Sequence, residues 1–284
     1  MKNSLPPELQ ALIPLDKAWM IRMGMLDIQA GKDDVREYLL AHQSELGDDL
    51  LALLRVLSDW GSGRSLDVGE SGTLYRFTQY LLWLKNSNQK IITRGTLQTR
   101  TLHDDPGTIN YPFEALLQLD GGTSQWASAK VLFTDTPVDS LEDAPYHLHM
   151  SVAAKEQYKQ GWGPRTDQTI QRQAEAFYHW LQTNTVDFDP QQAEDYPFAV
   201  AFGVLTIDDG ASLWPQLRNH ETNRVEEMRR LLNAGVIDSP DHRIVQALAM
   251  RYQERRVTET ARRAVNKTWP QFWQFLDDSR IKTH

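Results

Sequence analysis

Apolar residues recur along this chain at two spacings, and the changes between them predict its elements. Residues 15–31 (LDKAWMIRMGMLDIQAG) read as a helix ending at Gly31, a residue suited to a left-handed cap. Residues 33–58 keep helical spacing through Leu39, Leu40, Leu50, Leu51, Leu54, Val56 and Leu57, with a break near Gly47. Ser65–Val68 reads as a short strand, Gly69–Gly72 as a turn, and Thr73–Leu84 as a helix rich in Leu, Tyr and Phe. Lys90–Thr93 is a second strand, and Trp126–Phe133 a helix after Thr123-Ser124-Gln125. Residues 135–190 are the least regular, with one clear helix at 167–183. Pro197–Leu205, Glu221–Ala234 (closed by Gly235) and a long charged stretch, Arg243–Ala264, read as further helices. Strand, Gly/Ser/Thr turn and helix recur, which predicts an α/β or α+β protein of small repeated units.

Composition narrows the class. The chain has 284 residues, 40% hydrophobic and 24% charged, enough for one large or two small domains. It has no cysteine, which excludes a disulfide framework and a thiolate metal site or nucleophile. No apolar run reaches the ~18 residues of a membrane span. The opening MKNSLPPELQALIPLDK carries acids and prolines where a signal peptide has an apolar core, so a cytoplasmic protein is expected. A formal charge of −8 argues against a nucleic-acid partner, and any anion site must be a local basic cluster working against the net field.

Such a cluster is present. Arg218–Arg224 (RNHETNR) places Glu221 and Arg224 at one helix start, and Asp241-His242-Arg243 places a second arginine at the next. Arginines at helix starts suit a small, multiply charged anion. Gly69-Glu70-Ser71-Gly72-Thr73 lies between a strand and a helix, where glycines let backbone N–H groups approach an anion; an ordinary turn has the same form, and the Gly-Lys-Ser/Thr ending of a P-loop is absent. Thr123-Ser124-Gln125 and Asp195 have plain readings as helix caps. Lys17 and Arg22 read singly as a solvated face. His147 and His149 form a His-x-His pair without a third ligand, so no metal site is expected.

Taken in order, these stretches resemble the enolpyruvyl transferase family, most closely its 3-phosphoshikimate-using branch. Pro14–Arg22 is similar to the family's Pro-x-(Ser/Asp)-Lys-Ser-x-x-x-Arg, and Gly69–Thr73 with Arg76 to its Gly-Asn-(Ala/Ser)-Gly-Thr-x-x-Arg. Leu97–Arg100 resembles the end of Ser-Leu-Arg-x-Arg-Pro. Thr123–Trp126 with Ser128 and Ala129 resembles Ser-Ser-Gln-(Phe/Tyr)-x-Ser-Ala. Asp195 stands where the family has its catalytic aspartate. His220–Arg224 is similar to Lys-Glu-(Ser/Thr)-(Asp/Asn)-Arg, Asp241–Arg243 to Asp-His-Arg, and Asn266–Pro270 to (Ala/Ser)-Lys-(Thr/Ser)-(Phe/Tyr)-Pro. Family members are much longer, and the shortening is greatest between Tyr146 and Asp195.

The resemblance implies transfer of the enolpyruvyl group of phosphoenolpyruvate to an alcohol, 3-phosphoshikimate or an altered acceptor, as in aromatic amino acid biosynthesis. It implies catalytic roles for Lys17, Asp195 and Glu221. Phosphoenolpyruvate would be held by Gly72, Arg100, Gln125, Arg224, Arg243 and Lys267. The acceptor would be held by Arg22, Thr73, Thr123, Ser124, Tyr146, Gln216 and His220. Departures fall on the acceptor side: Ala18, Glu70, His220 and Asp143 replace residues of other type, and Thr101 replaces a proline. The donor is therefore expected to be kept and the acceptor changed. A non-catalytic homologue binding an anionic metabolite is the alternative. The implied fold is a reduced two-domain arrangement of βαβαββ units, with residues 1–14 and 185–284 in one domain, 15–184 in the other, and the active site in the cleft. The partners are small anionic substrates, without cofactor, nucleic acid or membrane; the state is a monomer or small homo-oligomer.

Overall fold

A computed structural model of the chain describes residues 4–119, 123–138, 145–220, 222–253 and 255–281. They fall in two compact units, residues 16–165 and residues 1–15 with 166–284. The chain leaves the discontinuous unit after Leu15 and returns after Arg165, so the helix expected at 167–183 belongs with the C-terminal half.

Helix α1 (Pro7–Gln10) precedes the first crossing. The unit of residues 16–165 then runs α2 (Lys17–Ala30), α3 (Asp34–Ala41), α4 (Asp48–Asp59), β1 (Leu66–Asp67), α5 (Gly72–Leu84), β2 (Ile91–Ile92), α6 (Phe113–Gln118), α7 (Gln125–Phe133) and α8 (Tyr146–Gln160). Helix α2 starts where the Asp16 carboxylate accepts from Trp19 N and stops at Gly31, which takes φ 68°. Its residues from Ala18 to Asp27 are all buried, the mark of a helix enclosed by neighbours on every side. It packs against α3, α4, α5, α7 and α8. Each large apolar side chain so buried contributes about 1.5–3 kcal/mol. Gly24 lets α4 come close: a methyl there would stand 3.1 Å from Leu53 Cδ1.

The discontinuous unit continues with α9 (Gln168–Thr183), α10 (Tyr196–Ala201), α11 (Ile207–Leu213), α12 (Arg224–Leu231), β3 (Val236–Ile237), α13 (His242–Arg251), β4 (Arg256–Val257), α14 (Glu259–Ala264) and α15 (Phe272–Ile281). Its core holds Phe177, Phe198, Trp269, Phe272 and Phe275. Trp269 Nε1 donates to Leu12 O at 2.7 Å, which ties the N-terminal segment to this unit.

The expected α/β fold of repeated βαβαββ units is overturned. Of the described residues 63% are helical and 4% strand, the strands lying in two tiny sheets. Strand–helix–strand order does occur twice, as parallel pairs β1–β2 around α5 and β3–β4 around α13, but each ladder is two residues long. The backbone limits them: Gly69 (φ 59°) follows Val68 and Gly95 (φ 47°) follows Arg94, so the extended runs turn away at once. Pro240 lacks an N–H and cannot extend the β3 ladder. Two helix expectations also change. Arg243–Ala264 is broken, because α13 ends at Arg251, Arg256–Val257 pairs with β3, and the Thr258 side chain caps α14 through Ala261 N. Residues 146–160 form a full helix, α8, whose buried side is small and mixed (Leu148, Met150, Ser151, Ala154) and so shows no apolar stripe.

Candidate functional site

In the unit of residues 16–165, a basic cluster forms at the start of α5. Ser71 caps this helix, its hydroxyl accepting from Leu74 N. One turn on, Arg76 Nη1 donates to Gly72 O (3.1 Å) and to Gln125 Oε1 (2.9 Å). Arg100 arrives from the 3-10 turn Gly95–Thr99 and donates through Nη2 to Thr96 Oγ1 at 2.8 Å. The two guanidinium ends meet over Gly72: a methyl there would stand 3.0 Å from Arg76 Nη1 and 3.6 Å from Arg100 Nη1. Arg76 is 8% exposed, whereas Arg100 is half-buried and makes no ion pair among the described residues. The arginine-bearing turn is fixed by Glu70, whose Oε2 accepts from Thr96 N (3.2 Å) and Thr96 Oγ1 (3.0 Å). Glu70 is thus an anchor of the turn.

His147, at the start of α8, sits beside this cluster. Its Nε2 is 3.4 Å from Gln125 Nε2 and its Nδ1 3.4 Å from Arg22 Nη2. Arg22 itself has no solvent exposure. Its guanidinium donates to Ser151 Oγ, Ala18 O, Ser128 Oγ and His147 O, and lies over the Phe77 ring. No carboxylate pairs with Arg22 among the described residues. Burial pushes its pKa down to about 10, against the pull of Tyr146 and Asp16. Lys17 Nζ is paired with Asp49 at 2.8 Å. Ser124 is buried in a left-handed conformation (φ 59°) and donates to Leu117 O. Thr73, Thr123 and Tyr146 are half-buried, and His149 is exposed.

In the other unit, α12 and α13 both start on arginines. Asp241 caps α13, accepting from Arg243 N at 3.0 Å, and its other oxygen takes Arg224 Nε at 2.8 Å. Glu194 Oε2 accepts from both Arg224 Nη1 (3.1 Å) and Arg243 Nε (3.2 Å). Arg243 Nη2 also reaches Asp167 Oδ2 at 3.5 Å, and His220 Nδ1 lies 3.9 Å from Glu194 Oε1. Burial alone would raise the Glu194 carboxyl, but Arg224, His220, Arg243 and His242 hold it well below the usual carboxylate range. Asp195 is fully buried, bonded by Arg172 Nη2 (2.8 Å), Gln173 Nε2 (3.0 Å) and Gln191 N (2.9 Å). Gln216 and Lys267 are half-buried on the 3-10 turns Pro215–Asn219 and Val265–Lys267. Glu221 and Asp143 lie outside the described residues.

The structure therefore brings together Gly72, Arg100 and Gln125 in one unit, and Arg224, Arg243 and His220 in the other. Sequence reasoning left Arg76, His147 and Glu194 out of the site. Arg76 had a signal, since it stands one helical turn after Gly72. Glu194 had none. No family model, no curated protein and no solved structure matches the chain.

Proposed function

We propose that this protein binds phosphoenolpyruvate and transfers its enolpyruvyl group to an alcohol, releasing inorganic phosphate. The observation that supports this reading is the meeting of Arg76 and Arg100 over Gly72, with Gln125 bonded to Arg76. Guanidinium forks match phosphate and carboxylate oxygens in a bidentate way, and the first turn of α5 adds favourable potential for negative charge. Arg224 and Arg243 repeat the theme in the other unit, where three carboxylates already accept from them.

In the proposed reaction the acceptor hydroxyl oxygen bonds to C2 of the donor while C3 gains a proton. The resulting ketal loses a C3 proton and expels phosphate, which restores the double bond. Such a reaction needs an acid, a base and stabilisation of developing negative charge. Asp195 is the proposed base, with Lys17 and Glu221 moving the other protons. Arg22 is enclosed by Ser128, Ser151 and the 147 carbonyl, so it offers nothing to an acceptor phosphate. This supports an acceptor other than 3-phosphoshikimate. A cytoplasmic location goes with the donor.

One observation favours a second reading, binding without turnover. A base must reach the proton it removes, and Asp195 is fully enclosed by Arg172, Gln173 and the 191 N–H. Phosphate release from phosphoenolpyruvate, followed with a panel of alcohols that includes 3-phosphoshikimate, decides between them. Release with any alcohol supports transfer. Calorimetric binding of phosphoenolpyruvate with no release across the panel supports the second reading. No binding at all refutes both.

A further inference from the structure

We infer that Glu194 is a built-in carboxylate ligand of the Arg224–Arg243 pair, and that a small carboxylate or phosphate anion enters this unit by displacing it. The inference deepens the proposed handling of phosphoenolpyruvate and rests on it. Among the described residues, two arginines here face three carboxylates: Glu194, Asp241 and Asp167. Asp241 and Asp167 are committed elsewhere as well. Asp241 caps α13 through Arg243 N, and Asp167 caps α9 through Ile170 N at 2.9 Å. Neither can leave without uncapping a helix. Among the described residues Glu194 carries no such second duty; its carboxylate pairs with Arg224, Arg243 and His220.

Exposure points the same way. The Glu194 side chain is 24% exposed, against 0% for Asp241 and 9% for Asp167. At Arg224 the Glu194 bond is 3.1 Å against 2.8 Å for Asp241, while at Arg243 it is 3.2 Å against 3.5 Å for Asp167. Charge balance agrees. Without Glu194, each arginine still keeps a carboxylate among the described residues, Arg224 with Asp241 and Arg243 with Asp167. Glu194 is therefore the most exposed of the three, the one without a capping duty, and the one mounted on a three-residue turn, Ala193–Asp195. An incoming carboxylate or phosphate oxygen accepts the same N–H groups that Glu194 accepts now. The four groups that hold Glu194 ionised (Arg224, His220, Arg243 and His242) then act on the incoming anion. Glu194 lowers the apparent affinity by the fraction of time it occupies the fork.

Phosphoenolpyruvate titrated by calorimetry into the wild-type chain and into Glu194→Gln tests this. The expected result is binding about tenfold tighter in Glu194→Gln, which corresponds to about 1.4 kcal/mol of competition removed. Adding Arg243→Met to that variant should abolish the gain, and Asp167→Asn, which retains a capping side chain, should produce none. Equal or weaker binding in Glu194→Gln, with the wild type binding normally, overturns the inference and leaves the donor assignment standing. If neither chain binds phosphoenolpyruvate, the donor assignment fails and the inference falls with it. Circular dichroism accompanies the titration. A Glu194→Gln chain that cannot fold also overturns the inference, because one-to-one pairing would then be insufficient.

Discussion

Replacing Gly95 by alanine strikes the turn that carries Arg100, and the structure sets the size of the effect. Gly95 holds φ 47°, a left-handed conformation that costs an L-residue roughly 1–2 kcal/mol. An added methyl would also stand 1.8 Å from Glu70 Oε1 and 2.2 Å from Glu70 Cδ, so the Glu70 side chain must swing out. It then gives up its two bonds from Thr96. Glu70 is exposed and water replaces these bonds, so their loss adds only about 0.5–1 kcal/mol. The sum is about 2 kcal/mol. For a unit of this size that lowers Tm by roughly 4–8 °C, taking 2–4 °C per kcal/mol. Thr96 Oγ1 is also the acceptor for Arg100, so the freed turn should weaken phosphoenolpyruvate binding severalfold. Calorimetric melting of Gly95→Ala, Glu70→Ala and the double variant checks the reasoning. The clash should disappear in the double variant while the backbone cost stays, giving a coupling of about 0.5–1 kcal/mol. A Gly95→Ala chain within 0.5 kcal/mol of wild type, or strict additivity with Glu70→Ala, refutes the account of this turn.

Other expectations follow from the same geometry. Arg22→Ala should cost about 2 kcal/mol more than Arg22→Met in urea unfolding, because methionine fills the enclosed space over Phe77 and alanine leaves a cavity; equal costs would mean that packing is not what Arg22 supplies. Trp269→Phe should cost about 1–3 kcal/mol by leaving the Leu12 carbonyl without its buried donor, and should loosen the N-terminal segment to proteolysis before the rest. Glu194 gives the pH dependence. Its folded pKa is depressed, so its stabilising contribution is complete above the ordinary glutamate value of about 4.3 and drains away as pH falls below that. Thermal melts of wild type between pH 7 and pH 3 should therefore fall more steeply than those of Glu194→Gln, and parallel acid limbs would contradict the ion-pair assignment.

Local signals in the sequence were strong where one residue decides the backbone. The end of α2 at Gly31, the break at Gly47 and the helix begun by the Gly69–Thr73 turn were all legible, because glycine and capping residues act within a turn of themselves. Strand extent was not legible. The extended runs beyond Asp67 and Ile92 go no further than Val68 and Arg94 because the glycines after them adopt positive φ, and a glycine in a sequence does not announce its conformation. Charge at regular intervals made Arg243–Ala264 look like one helix, although Arg256–Val257 is claimed by a partner strand twenty residues earlier in the chain. In the site, Arg224 and Arg243 stood out as arginines at helix starts, whereas Arg100 and Gln125 entered only through the family resemblance. What surrounds them did not stand out. Glu194 is joined to Arg224 and Arg243 only by tertiary folding, and the enclosure of Arg22 and Asp195 depends on side chains drawn from α7, α8 and α9.

The central claim is that Arg76 and Arg100 form a seat for a small phosphorylated carboxylate at the start of α5. Titration calorimetry with phosphoenolpyruvate on the wild-type chain, Arg100→Ala and Arg64→Ala tests it most directly. Arg64 is an exposed arginine paired with Asp59 and serves as the charge-matched control. The account predicts measurable binding to wild type, at least tenfold weaker binding to Arg100→Ala, and an unchanged constant for Arg64→Ala. Equal affinities in all three chains, or no binding by the wild type, would contradict it.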